Sequence, residues 1–184
     1  WVSGEGFAEV NAAFSTVIAE RGAVSGQSFS TPTAASAMQA VTSEDVAAAM
    51  FRTGAGTLAS LTVSQVSAGR HNRLWFEIDG AKASVAFNQE DAERLWVGLP
   101  DQREETFMRG PGAGSAEQRR LSVLPAGHAQ GYAQCFEAFV ADTYRAIEGE
   151  RPQGLPTFED GLRSARIVDR VIASARSRAW TTIG

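Results

Sequence analysis

The chain has 184 residues, 43% hydrophobic and 21% charged, a composition ordinary for a globular protein rather than a disordered or membrane one, and it predicts one domain around one core. A net charge of −4, with no basic tract beyond Arg119-Arg120, argues against general attraction to nucleic acid or anionic membrane. No run approaches the roughly 18 apolar residues that span a bilayer, and the lone Cys135 excludes an intrachain disulfide or a multi-cysteine metal site, which suits a reducing, cytoplasmic setting.

Basic residues comprise sixteen arginines and one lysine, Lys82, so chemistry that needs a lysine must use Lys82 or a residue outside this chain. The sequence opens at Trp1 without a methionine, a basic start or an apolar signal core, and is expected to be a piece that begins inside a longer protein.

Phe7 to Ile18 places Val10, Ala12, Phe14 and Thr16 on one side of an extended chain and predicts a strand. Glu20 to Ser43 is rich in Gly, Ser, Thr, Ala and Gln, with Pro32 inside, and predicts a long loop. Glu44 to Thr53 has the alanine content of a helix, but Gly54-Ala55-Gly56 and a β-like run follow it, which favours the first strand of a hairpin.

The stretch from Thr57 to Phe87 reads as adjoining strands at the centre of a sheet. Leu58, Ser60, Thr62 and Ser64 alternate with Ala59, Leu61, Val63 and Gln65. Leu74, Phe76 and Ile78 then alternate with Trp75, Glu77 and Asp79, and Asp79-Gly80 is a hairpin signal before Ala83, Val85 and Phe87. The segment Gly69-Arg70-His71-Asn72-Arg73 concentrates polar and cationic function. Arg94 to Val97 predicts a short strand, Thr106 to Met108 an edge strand, and Leu121 to Leu124 a further short strand.

From Gly131 to Ile147 the apolar residues Tyr132, Cys135, Phe136, Phe139, Val140 and Ile147, with Thr143, recur at spacings of three and four, predicting a helix with one buried face. A second helix is expected from Thr157, with Asp160 completing a capping box and Leu162, Ala165, Val168, Ile172 and Ala175 on one stripe. Strands first and helices last predict an α+β fold: an open, mostly antiparallel sheet with two C-terminal helices on one face. The other face, carrying Ser60, Thr62 and Ser64 with Trp75 and Trp96, would meet solvent or a partner.

Gly54-Ala55-Gly56-Thr57-Leu58-Ala59 fits a dinucleotide fingerprint, but that motif must open a helix, and a β-rich run follows instead. Gly110-Pro111-Gly112-Ala113-Gly114 is set aside because no strand–glycine–helix order is read around it. With His71 and His128 alone and no ligand spacing, no metal site is expected. His128 reads equally as a residue at a helix start that satisfies a local hydrogen bond, or as a substrate contact on a loop. Arg70 and Arg73 read as a solvated strand end or as site residues. No serine sits in a nucleophile elbow, and Cys135 falls on the helical face expected to be buried.

From about Phe7 to Trp180 the chain resembles the C-terminal domain of the Gfo/Idh/MocA family of NAD(P)-dependent oxidoreductases. The resemblance is carried by Phe51-Arg52-Thr53-Gly54-Ala55-Gly56-Thr57-Leu58, by Gly69-Arg70-His71-Asn72 with Phe76-Glu77-Ile78-Asp79-Gly80, by Gly127-His128-Ala129-Gln130-Gly131-Tyr132, and by Pro156-Thr157-Phe158-Glu159-Asp160-Gly161-Leu162. It implies a sheet domain that helps form a sugar, cyclitol or polyol pocket and that oligomerises through its exposed face, while a separate N-terminal Rossmann domain binds NAD or NADP. The family's glycine-rich cofactor loop and catalytic lysine motif have no counterpart here, and its helical aspartate and histidine would precede Trp1. The resemblance therefore implies no catalytic and no cofactor-binding residue in this chain, and pocket-lining candidates at Arg70, His71, Asn72, His128 and Tyr132. Residues 1–184 are then a single substrate-side and oligomerisation domain, inactive alone. The competing reading is a non-enzymatic sheet domain that binds a carbohydrate or a protein partner.

Overall fold

The computed structural model describes residues 2–22, 37–112 and 114–184. Its strands are β1 (Phe7–Ser15), β2 (Glu20–Gly22), β3 (Met38–Ala40), β4 (Val46–Thr53), β5 (Leu58–Ser64), β6 (Trp75–Asp79), β7 (Ser84–Asn88), β8 (Arg94–Gly98), β9 (Glu104–Met108) and β10 (Thr181–Thr182). Among the described residues the α-helices are α1 (Ala116–Leu121), α2 (Tyr132–Ile147) and α3 (Phe158–Ser177). The architecture is α+β with open, antiparallel sheets, and it divides into two compact units, Trp1–Gly69 with Phe158–Gly184, and Arg70–Thr157.

In the first unit the sheet order is β10-β1-β4-β5, all neighbours antiparallel. Val10 opposes Phe51 and Ala12 opposes Ala49, while Phe51 and Ala49 oppose Ala59 and Leu61. Strand alternation therefore gathers these six side chains on one face. Ile167, Val171 and Ala175, spaced by one helical turn each, lay α3 against the buried Val10, Ala12, Ala49, Phe51 and Ile183. Phe7 stacks on Phe51 with ring centroids 4.4 Å apart.

The stripe expected on α3 was Leu162, Ala165, Val168, Ile172 and Ala175; the observed one is rotated from it, and Leu162 and Val168 are exposed. Ser174 sets the rotation. It is fully buried, its Oγ accepting from the Ala12 amide at 3.0 Å and donating to the Ala179 carbonyl at 2.6 Å. β10 pairs only with Glu9 and Val10, so the Ala12 amide lies beyond that short ladder and takes its partner from the helix.

The loop expected over Glu20–Ser43 begins and ends in a two-stranded ribbon, β2 on β3; its residues 23–36 lie outside the described residues. Asp45 fixes the ribbon's base. Its buried carboxylate accepts from the Val17 and Ile18 amides, both at 2.8 Å, and pairs with Arg21. The Ile18 amide above all, then the Val17 amide and Arg21, hold its pKa below the ordinary aspartate value against the opposing effect of burial.

In the second unit the order is β6-β7-β8-β9. Register places Phe76, Ile78, Val85, Phe87, Leu95, Val97 and Phe107 on one face, and Trp75, Glu77, Ala86, Trp96 and Thr106 on the other. The single sheet expected across Thr57–Phe87 is thus two sheets. β5 is the edge of the first and β6 the edge of the second, and the chain between them turns at Gly69, whose φ of 78° suits glycine.

Two further expectations change in this unit. Leu121 closes α1, and residues 122–124 form no strand because side chains take their backbone groups: Gln130 Oε1 accepts from the Val123 and Leu124 amides at 2.9 and 3.3 Å, and Arg109 donates to the Leu124 carbonyl at 3.0 Å. α2 forms as expected, but its apolar stripe is exposed, with Tyr132 at 82% and Ile147 at 74%, and Cys135 is exposed with it. The buried residue of α2 is Asp142, which accepts from Arg120 of α1 at 3.0 and 2.8 Å and from Arg145 at 3.2 Å. The Arg120 guanidinium on this buried carboxylate ties α2 to α1, while Arg145, on α2 itself, adds a second charge-assisted bond to it.

Candidate functional site

Sheet geometry decides which sequence-predicted residues meet. At one end of the second sheet β6 begins, β7 ends, β8 begins and β9 ends. The segment Arg70–Arg73 leads into that end, residues 89–93 connect β7 to β8 there, and Arg109 follows β9 there.

The connection at residues 89–93 holds two loops. Gln89 donates from its amide to the Leu74 carbonyl at 2.8 Å and from Nε2 to the Asn72 carbonyl at 3.1 Å. Glu90 lies 3.9 Å from the Arg70 guanidinium. Asn88 starts the connection, its side chain accepting from the Glu90 amide at 3.1 Å and so closing the 3-10 turn Gln89–Asp91. On the other side, Glu93 Oε1 accepts from the Gln130 amide at 2.8 Å.

Glu93 also binds Arg109, both carboxylate oxygens lying 3.0 Å from Nε. The remaining nitrogens of Arg109 donate to the Leu124 carbonyl at 3.0 Å and the His128 carbonyl at 2.8 Å. Both side chains are largely buried, at 14% exposure for Arg109 and 20% for Glu93. The Arg109 hydrogen bonds first, then the Gln130 amide, hold Glu93 below the ordinary glutamate pKa, so it stays ionised at neutral pH. Pro125 to His128 closes a turn, His128 donating to the Pro125 carbonyl at 3.1 Å, with Gly127 at the φ of 84° that such a turn requires.

Arg70, His71, Asn72 and His128 are all exposed. Among the described residues the rings of His71 and His128 and the side-chain amide of Asn72 make no hydrogen bond or ion pair, so their donors and acceptors face outward. Tyr132, the first residue of α2, rests on Phe136 with ring centroids 4.7 Å apart. Arg73 lies 5.9 Å from the ring of the half-exposed Trp75. Arg70, Asn72 and His128 are therefore tied through their backbones or charges to one five-residue connection, whereas among the described residues no hydrogen bond or ion pair ties the Tyr132 side chain to it.

Gln89, Glu93, Arg109 and Gln130 were not anticipated. The hairpin carried the signal for one pair: Arg94 opposes Met108, which puts Glu93 opposite Arg109 one step further along. An acid and an arginine facing each other where a ladder ends is a readable cross-strand pair once the register is known.

The glycine pattern at Gly54 to Ala59 is a hairpin turn. Thr53 donates to the Thr57 carbonyl at 2.9 Å, Gly56 has φ of 93°, and strand β5 follows, so no helix N-terminus stands where a pyrophosphate would need one. These residues do not fit a dinucleotide. Around Gly110 to Gly114 the strand–glycine–helix order dismissed on sequence is present, as β9 followed by α1. That helix has six residues and its first turn is already capped, Ser115 Oγ accepting from the Gln118 amide at 3.1 Å and Arg119 donating to the Gly114 carbonyl. Among the described residues no three His, Cys, Asp or Glu side chains cluster to hold a metal, and no helix is long and apolar enough to cross a membrane.

The chain matches the profile of an oxidoreductase family's C-terminal alpha/beta domain, the Gfo/Idh/MocA domain, over residues 10–183. It is 31% identical over 184 residues to levoglucosan dehydrogenase of Pseudarthrobacter phenanthrenivorans, an alignment covering 96% of this chain and 46% of that protein. Its fold superposes on an oxidoreductase domain protein from Kribbella flavida with a TM-score of 0.80 and 27% identity, covering 100% of this chain and 46% of the other. It also superposes on a levoglucosan dehydrogenase solved with NADH and L-sorbose, with a TM-score of 0.77 and 29% identity, covering 97% and 45%. The chain thus spans just under half the length of these relatives. A profile match over nearly the whole chain, together with that level of identity, establishes that it belongs to the Gfo/Idh/MocA oxidoreductase family as its C-terminal α/β domain.

Proposed function

We propose that this chain is the substrate-side domain of a nicotinamide-dependent oxidoreductase acting on a sugar, cyclitol or related polyol, and that Arg70, His71, Asn72, His128 and Tyr132 line its pocket. The observation that carries the reading is the connection at residues 89–93, which ties the Arg70–Asn72 loop and the His128 loop to one end of one sheet. Outward-facing imidazoles, a side-chain amide and a guanidinium offer directional donors and acceptors for hydroxyl groups. The levoglucosan dehydrogenase relative, solved with NADH and a sugar, supports that substrate class.

NAD or NADP would bind outside this chain, because the glycine turn at Gly54–Gly56 does not fit it. Held there, a nicotinamide cofactor would supply the hydride chemistry. This chain's part is to hold the polyol's remaining hydroxyls so that the reacting carbon is presented. Homo-oligomerisation through the free face of the first sheet belongs to the same proposal.

The test is turnover of levoglucosan and a panel of sugars and cyclitols by the full-length protein with NAD or NADP, followed by nicotinamide absorbance. Turnover is expected, with His128→Ala and Arg70→Ala raising KM about tenfold, the loss of about one good hydrogen bond to substrate. No turnover of any polyol overturns the reading. The 184-residue chain alone is expected to show no calorimetric binding of either cofactor, and micromolar binding would refute the division of labour.

A further inference from the structure

We infer that the Glu93–Arg109 pair is a positioning device that sets where His128 stands relative to the Arg70–Asn72 loop, so that the two loops present their polar groups as one surface. The inference rests on the substrate-side reading above and adds a residue pair that neither sequence pattern nor family membership singles out.

The geometry supports more than a stabilising ion pair. Arg109 spends one edge of its guanidinium on Glu93 and the rest on two carbonyls of a single loop, Leu124 at 3.0 Å and His128 at 2.8 Å. Glu93 spends the capacity left to it on the Gln130 amide at 2.8 Å, two residues beyond His128. The His128 backbone is thereby gripped from both sides while its ring is left outward. Glu93 also closes the connection whose first residue, Gln89, holds the Asn72 carbonyl at 3.1 Å. A displacement of Glu93 would therefore be felt by both loops.

A planar fork with five donors is what this arrangement demands. A lysine can keep the charge partner of Glu93 but cannot reach the carboxylate and both carbonyls from one ammonium. A pair that only stabilised the fold would lower thermal stability on substitution and leave substrate recognition alone. A positioning pair must raise KM, because the polyol's non-reacting hydroxyls are bound alike in ground and transition states.

The experiment compares wild type, Arg109→Lys, Glu93→Gln and His128→Ala in the full-length protein, with levoglucosan or the best polyol of the panel as the probe. Readouts are KM, kcat, Tm and amide hydrogen exchange across residues 124–131. Arg109→Lys is expected to raise KM about tenfold with kcat held within about threefold, and to accelerate exchange at residues 124–131. Glu93→Gln keeps the volume and a neutral acceptor for Gln130, and is expected to shift KM and exchange the same way by a smaller factor. Should Arg109→Lys fail to fold, Glu93→Gln decides alone. A lower Tm with unchanged KM in either folded variant overturns the inference. If His128→Ala raises KM and the pair's variants do not, the inference fails and the substrate-side reading stands. If no polyol is turned over, or His128→Ala leaves KM unchanged, the substrate-side reading fails and this inference falls with it.

Discussion

Asp45 shows how one side chain sets the behaviour of a segment. Its carboxylate collects the Val17 and Ile18 amides and Arg21, so the chain leaving β1 is held to the start of β4 by a charged acceptor. The folded-state pKa lies below the ordinary aspartate value, which means the unfolded chain takes up the proton first as pH falls. The contribution to stability is thus complete above the ordinary value of about 3.9 and is lost as pH drops through the folded value. Asp45→Asn, whose amide cannot accept all three donors as a charge, is expected to destabilise the protein at pH 7, and the gap to wild type to narrow below about pH 4. Urea midpoints at neutral and acid pH check this; a gap independent of pH would mean that the ionised carboxylate is not what holds the segment. At this scale the sequence was partly legible. Arg70, His71, Asn72 and His128 stand out by residue type, but Asp45, Glu93 and Arg109 look like ordinary surface charges until register and loop closure supply their partners.

At the scale of elements the strands were readable because alternation over five to nine residues is a local signal. Phe7–Ser15, Leu58–Ser64 and Trp75–Asp79 lie where alternation placed them, and Val46–Thr53 lies where the glycine turn and the β-like run after it placed a hairpin strand. Helix faces were less readable, because polar residues that bury themselves were counted as solvent-facing. Ser174 and Asp142 are the buried polar residues of α3 and α2, and each helix is turned to bring that residue inward. Strand β10 escaped notice because two residues, Thr181 and Thr182, carry no periodicity. The rotation of α3 is open to test. Ser174→Ala leaves the Ala12 amide without its acceptor and is expected to cost about 1–3 kcal/mol, whereas Val168→Ala on the exposed side is expected to stay within about 0.5 kcal/mol. Comparable losses at both positions, measured by chemical denaturation, would mean that the helix seats on its other stripe.

For the whole molecule the question is what the uncovered sheet face meets. In the first unit α3 lies on the face carrying Val10, Ala12, Ala49 and Phe51. The opposite face, by register, carries Asn11, Met50, Arg52, Leu58, Ser60 and Thr62, with Met50 and Leu58 about half exposed. Apolar side chains among small hydroxyls, with Arg52 paired to Glu9 at 3.0 Å toward one margin, resemble an interface with an apolar centre and a polar rim. A two-fold dimer through this face would bring the same patch of both partners together, and a stable dimer needs roughly 800 Å² from each partner. Under the proposed oligomerisation, the full-length protein should sediment as a dimer or larger assembly at micromolar concentration. Met50→Glu combined with Leu58→Glu would place like charges across the axis and shift it to monomer, while leaving the α3 side of the sheet untouched. An oligomer that survives this double substitution would have to assemble through another surface, and a wild type that sediments as monomer would leave the face to a different partner.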